Sequence, residues 1–252
     1  MNIFPAKKIL NWLLCQNPWL YRVVIQIYSN QGRRQKYVYL KFVKKGNCAI
    51  DIGANVGDVT LLLSNIVGKE GKVFSYEAVK PTYEKLLLNI NANKFYNNIT
   101  AFNLAVGDVE KEISVTVPGN GFGQVSMQVH KKGSWNSASR FTVFKTHCIL
   151  LDHHMADFKK VDFIKIDIEG AELLALKGAV EIINKFKPVL YVEVYKGWTK
   201  EFNYHPLDVY QYIKSFGYSE YFIVTPQTIT RLTNPELQLN LDYSADLICI
   251  YN

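Results

Sequence analysis

Residues 50 to 57 read Ile-Asp-Ile-Gly-Ala-Asn-Val-Gly, and Glu77 follows the strand-like run Lys72 to Tyr76, 20 positions past Gly57. A buried strand that carries Asp51 to a sheet edge and then turns on glycines brings backbone close to a ligand. A second strand ending in a carboxylate offers acceptors to a ribose diol. The order differs from the dinucleotide fingerprint Gly-x-Gly-x-x-Gly, because an acid precedes Gly53 and the third glycine is missing. Asp51 would repel a pyrophosphate. It suits a cationic ligand, such as the ammonium and sulfonium of S-adenosylmethionine.

The pattern after residue 48 alternates strand and helix. Cys48 to Ile52 is a short apolar run, and a helical stretch from about Val56 to Val67 ends at Gly68 and Gly71. Lys72 to Tyr76 is the second strand, Pro81 opens the next helix, and Ile99 to Val106 is the third strand. From 110 to 148 the period changes to that of half-exposed antiparallel strands, which predicts a β-rich insertion. A strand over Val161 to Ile168, a helix from Gly170 to Phe186 and a strand over Pro188 to Tyr195 then follow. Pro206 to Ser215 reads as helix, and Glu220 to Val224 with Leu247 to Tyr251 as two last strands, plausibly an antiparallel hairpin. Such alternation predicts an α/β fold, a doubly wound, mostly parallel, Rossmann-like sheet that binds ligands at its carboxyl edge.

Charge divides the chain. Residues 1 to 50 hold nine Lys or Arg and no acid, leaving 20 basic and 22 acidic residues in the remainder. We therefore expect a basic, aromatic, helical extension over 1–45 and one catalytic domain over 46–252. The extension could touch an anionic membrane or polyanion, or simply pack on the domain through Ile9, Leu10, Leu13 and Leu14. Nucleic acid has only charge in its favour. No run of about 18 apolar residues occurs and no signal-peptide cleavage site follows Lys7 and Lys8, so the expected location is cytoplasmic, at most peripheral to a membrane. The four scattered cysteines, without a Cys-x-x-Cys pair, read as reduced thiols.

The run Asp162 to Glu172 places Lys165, Asp167 and Glu169 on one side of a strand, opposite Ile164, Ile166 and Ile168. A parallel strand covered on both faces should be apolar throughout. A ligand cleft explains the three ionisable groups, with Asp167 or Glu169 as the acid–base residue. Glu172 suits the start of the next helix, and Glu193 is a further cleft carboxylate. Converging carboxylates could hold a divalent metal or work without one, and the sequence does not choose. Of His130, His147, His153, His154 and His205, none has a ligand spacing, and His130 and His147 lie nearest an acceptor. Asn55, within the glycine turn, is a further cofactor contact.

Taken together, Asp51 to Gly57, Glu77 with Pro81, Asn89 and Asn93, and Ile164 to Glu172 resemble the FkbM-type methyltransferases, which are class I enzymes. The similarity covers about residue 48 to Tyr195. It implies S-adenosylmethionine-dependent O-methylation of a hydroxyl on a sugar, glycan or natural-product-like small molecule. It also implies a cofactor site of Asp51, Gly53, Ala54, Asn55, Gly57, Glu77 and Asp167, with no metal assigned. Trp135, Tyr195 and Trp198 are candidates to stack on the acceptor. Members often carry Thr-Leu-Asp ahead of the fourth strand, where this chain has Leu150-Leu151-Asp152. The competing readings are a nicotinamide-dependent oxidoreductase and a non-enzymatic binding module on the same fold.

Overall fold

The computed structural model describes residues 33–93, 97–118 and 141–252. The chain begins there with α1 (Arg33–Phe42), β1 (Cys48–Ile52), α2 (Asp58–Val67), β2 (Lys72–Tyr76), α3 (Lys80–Asn93) and β3 (Ile99–Phe102). A second set follows: β4 (Ala105–Val106), β5 (Lys111–Pro118), β6 (Phe141–Ile149), α4 (Leu151–His154), β7 (Phe163–Ile166), α5 (Glu172–Lys177) and α6 (Val180–Phe186). The last elements are β8 (Val189–Val194), α7 (Lys196–Thr199), α8 (Pro206–Ser215), β9 (Glu220–Val224), β10 (Ile229–Arg231), α9 (Pro235–Gln238) and β11 (Ala245–Ile250).

Eight strands form one sheet in the order β10-β9-β11-β8-β7-β1-β2-β3. β1, β2, β3, β7 and β8 are parallel, as their near-continuous apolar runs require. The antiparallel pairing expected of the last two strands occurs between β9 and β11, and β11 pairs antiparallel with β8 on its other side. β10 was not expected at all; only three residues of it pair.

Alternate residues of these strands face opposite sides. On one side Ile50, Ile52, Ile164, Ile166, Leu190 and Val192 join one large apolar cluster with α5, α6 and α8. On the other, Ala49, Val73, Phe163, Tyr191 and Ile248 pack beneath α1 and α2.

Two expectations change. The predicted strand Ile99–Val106 divides, because Asn103 Nδ2 donates to the carbonyls of Glu77 (2.9 Å) and Ala78 (3.1 Å) and pins the chain at the β2 end. β4 then joins the small sheet β4-β6-β5 that realises the β-rich insertion. The predicted helix 170–186 also divides. Asp152 accepts from Glu181 N and Ile182 N, both at 2.9 Å, and so starts α6 as a separate helix. That cap gives the Leu150-Leu151-Asp152 segment a structural task.

α1 lies within the segment expected to be the 1–45 extension. α1 belongs to the folded unit: Val38, Tyr39, Leu40 and Val43 are all buried. Tyr39 meets Phe163 edge-on at 5.9 Å and Tyr191 at 5.0 Å between centroids. Gln35 Nε2 donates to Asp246 Oδ2 at 2.8 Å, and Arg34 donates to the Pro226 carbonyl. The packing expected of Ile9 to Leu14, and residues 1–32 of the 1–45 segment expected to touch a membrane or polyanion, fall outside the described residues. No helix of the described residues is long and apolar enough to cross a membrane.

Candidate functional site

The carboxyl ends of β1, β2 and β7 open into a cavity of about 300 Å³, at the lower end of the range for small-molecule sites. Its first wall is the turn after β1. Gly53 adopts φ +80°, and a Cβ there would lie 1.9 Å from the Asp167 carbonyl oxygen, so only glycine lets the turn sit against the end of β7. Gly53 N and Ala54 N both donate to the Tyr76 carbonyl at 3.0 Å. Asn55 is held in the left-handed region, φ 50°, and its N–H donates to Glu77 Oε2 at 2.9 Å.

Glu77 forms the second wall. It is 6% exposed, and Val79 N donates to its other oxygen at 2.9 Å. Burial raises its pKa, while the two backbone N–H groups oppose the rise. The remaining lone pairs are what a diol would need.

The third wall is Asp167 to Ala171. The Asp167 side chain is 43% exposed and its Oδ2 lies 3.4 Å from Lys165 Nζ. Glu169 lines the cavity with φ 50°, a conformation that costs an L-residue about 1–2 kcal/mol. Strain of this kind gathers at functional sites. Glu172 holds the loop in place: its carboxylate accepts from Ile168 N and Gly170 N at 3.1 Å, and the Tyr204 hydroxyl lies 3.2 Å from it. Burial pushes the Glu172 pKa up to about 7 against those N–H bonds.

Gly53, Ala54, Asn55, Glu77, Asp167 and Glu169 therefore line one cavity. Asp51 and Gly57 lie behind that lining. Asp51 is 0% exposed behind the turn; its Oδ2 accepts from Thr60 Oγ1 at 2.7 Å and its Oδ1 pairs with Lys165 Nζ at 3.1 Å. Its charge faces the ammonium that it shares with Asp167. Gly57 serves packing: with φ +98°, a Cβ would meet Leu86 Cδ1 at 2.6 Å. Glu193 also stands apart from the lining. Ser244 Oγ donates to it at 2.6 Å, and burial, Asp167 and Glu172 push its pKa well up.

No described histidine lines the cavity. His153 pairs with Glu110 at the surface (3.2 Å), His154 stacks edge-on against Tyr76 and Phe102, and His205 caps α8. His147 is exposed on β6. Trp198 is 7% exposed and packs edge-on against Tyr195, so it is core rather than a stacking platform. Trp135, His130 and the Asn93 side chain lie outside the described residues. Asn89 Nδ2 donates to the Val56 carbonyl at 2.8 Å and braces the turn. Among the described residues no group of three His, Cys, Asp or Glu could hold a metal.

Sequence reasoning missed the fourth wall. Leu104, Val106, Ile113 and Val115 bring the small sheet against the cavity as an apolar side, and Asp58 enters from the start of α2. The alternation of Ile113 and Val115 was visible; what lay opposite them was not.

A model of the methyltransferase FkbM domain matches residues 51–220, which takes in every wall of this cavity. The chain belongs to the FkbM methyltransferase family. Among solved structures it is similar to the methyltransferase FkbM from Methylobacillus flagellatus KT, with a TM-score of 0.52 and 18% identity, covering 94% of this chain and 59% of that one. This chain thus spans about three fifths of the length of that relative. It is similar also to a precorrin-6y C5,15-methyltransferase from Geobacter metallireducens GS-15, with a TM-score of 0.50, 11% identity, and coverage of 89% and 91%. At these identities the likeness establishes the fold, the mainly parallel sheet of class I methyltransferases. No curated protein matches the sequence. The FkbM domain match stops before β10 and β11 and starts after α1, yet all three pack on the shared sheet.

Proposed function

We propose that this FkbM methyltransferase moves a methyl group from S-adenosylmethionine to a hydroxyl of a sugar, glycan or natural-product-like small molecule. The observation that carries the reading is the convergence of the Gly53 turn, the buried Glu77 and the half-exposed Asp167 on one cavity. These groups fit the cofactor: Gly53 leaves room for close backbone approach, and Glu77 supplies acceptors where a ribose would lie. When bound, S-adenosylmethionine supplies an already activated methyl on a sulfonium. The protein then has mainly to align the acceptor, because orientation supplies much of the rate. Asp167 or Glu169 would orient the acceptor hydroxyl and take its proton. The apolar wall of Val106, Ile113 and Val115 would exclude water from the transfer path.

Among the described residues, four carboxylates (Asp58, Glu77, Asp167 and Glu169) line the cavity against the single cation Lys165. A pyrophosphate would be repelled there, which disfavours a nicotinamide cofactor. Calorimetry separates the two: S-adenosylhomocysteine should bind and NAD should not, and the reverse result ends the methyl-transfer reading. Labelled-methyl transfer to pooled glycans and metabolites, with and without EDTA, then finds the acceptor and tests for a metal. For the basic segment over residues 1–45 we carry forward contact with an anionic membrane or polyanion. Co-sedimentation with phosphatidylserine vesicles, lost when the Lys and Arg residues of that segment are replaced by Gln, is the expected result.

A further inference from the structure

Lys165 is a lysine in the middle of a parallel strand, 3% exposed, with an ammonium that has three partners. Its Nζ lies 2.9 Å from the Gly53 carbonyl oxygen, 3.1 Å from Asp51 Oδ1 and 3.4 Å from Asp167 Oδ2. The Gly53 carbonyl accepts a hydrogen bond from the ammonium, and the two carboxylates are its ion-pair partners. Register puts Ser75, Asp51, Lys165 and Tyr191 side by side across four strands. Tyr39 of α1 packs against Phe163 and Tyr191 on this side and closes it from solvent. Stability alone gives no reason for such an arrangement, since apolar replacements of buried ion pairs are often neutral or stabilising.

We propose that Lys165 is the positioning residue of this site: its ammonium fixes the Gly53 carbonyl and the Asp167 carboxylate relative to each other, so that cofactor turn and catalytic acid are set as one unit. The proposal rests on the methyl-transfer reading and names a residue that acts through Gly53 and Asp167. Two further contacts share the load. Asp167 N donates to the Ile52 carbonyl at 3.1 Å, and the Gly53 backbone abuts the Asp167 carbonyl. Those contacts fix the backbones. Among the described residues only Lys165 reaches the Asp167 carboxylate, and a carboxylate free to rotate on a half-exposed side chain would lose its aim at the sulfonium. Helix α1 contributes by excluding water, which would otherwise weaken both ion pairs.

The test compares Asp51→Asn with Asp51→Asn/Lys165→Met, because removing Lys165 alone would strand a buried charge. S-adenosylmethionine and S-adenosylhomocysteine are the probes; they differ in the methyl and its charge. Loss of the lysine should weaken S-adenosylmethionine binding at least tenfold and lower the affinity ratio of S-adenosylmethionine to S-adenosylhomocysteine at least threefold. A general loss of structure would weaken both alike. An unchanged ratio in the folded double variant overturns the proposal. Wild-type protein that binds neither probe overturns instead the reading beneath it. Nuclear magnetic resonance of ¹⁵N-lysine-labelled wild-type protein gives the answer without substitutions. The Lys165 ammonium signal should exchange slowly and shift when S-adenosylmethionine is added, and an unmoved signal overturns the proposal.

Discussion

On one side of the sheet, Ile50, Ile52, Ile164, Ile166, Leu190 and Val192 meet helices through apolar atoms alone. On the other, the alternate residues of these strands and of β11 set Asp51, Lys165 and Asp246 among Ala49, Phe163, Tyr191 and Ile248. Both sides are buried, so the contrast is not one of core against surface. The first side asks only for volume and hydrophobicity, which many residues satisfy. The second asks for particular donors opposite particular acceptors, because an unmatched buried charge is costly. The cavity opens where the carboxyl ends of β1, β2 and β7 carry that polar side to solvent. Stability and chemistry are thus assigned to opposite faces of one sheet.

The largest expected effect breaks the polar side. Lys165→Met should cost about 3–5 kcal/mol of unfolding free energy in urea, because Asp51 stays buried without its cation. A loss under about 1 kcal/mol would mean that charge does not hold this side. On the apolar side, Leu190→Ala should cost about 3 kcal/mol through a cavity. The folded fraction should bind S-adenosylhomocysteine as the parent does; a large change in affinity would erase the division between faces.

A smaller effect concerns pH. The folded-state pKa of Glu172 is raised to about 7, so the folded protein holds this proton more tightly than the unfolded chain. The associated stability is full below the ordinary carboxylate range and is lost as pH rises through about 7. Buried Asp246, raised to about 6, adds in the same direction. Glu172→Gln should flatten the fall between pH 5 and 8 by on the order of 2 kcal/mol, read from urea midpoints. An unaltered slope would show that Glu172 stays ionised in the folded state. The smallest effect sharpens the cofactor side: Glu77→Gln should weaken S-adenosylhomocysteine about tenfold, or about 1.4 kcal/mol, in calorimetry.

Much of this was legible. β2, α8 and β9 occur at their expected residues, because their apolar runs are bounded by glycine or proline. Gly53 and Glu77 were recognisable since a tight turn and a strand-end acid have few other uses together. The family resemblance read on Asp51 to Glu172 agrees with the FkbM domain match. Other features were hidden for identifiable reasons. α1 reads Arg-Arg-Gln-Lys-Tyr-Val-Tyr-Leu-Lys-Phe, and its charge masks the buried Val38, Tyr39 and Leu40. Asp152 caps a helix that starts 28 residues later, and no local pattern announces such a partner. Trp198 had the chemistry of a stacking platform but lies in the core.

The sequence by itself determined which residues share a face and where strands end, because backbone geometry ties both to spacing along the chain. It therefore determined the sheet class, the glycine turn and the acids at its edge. Only the tertiary structure decided which acids meet the cavity and which are neutralised behind it. Asp51 and Asp167 are both strand-end carboxylates, yet one is enclosed by Thr60 and Lys165 and the other is half in solvent. The reason is that a charge is defined by what stands opposite it, and Lys165 reaches Gly53 across 112 residues of chain.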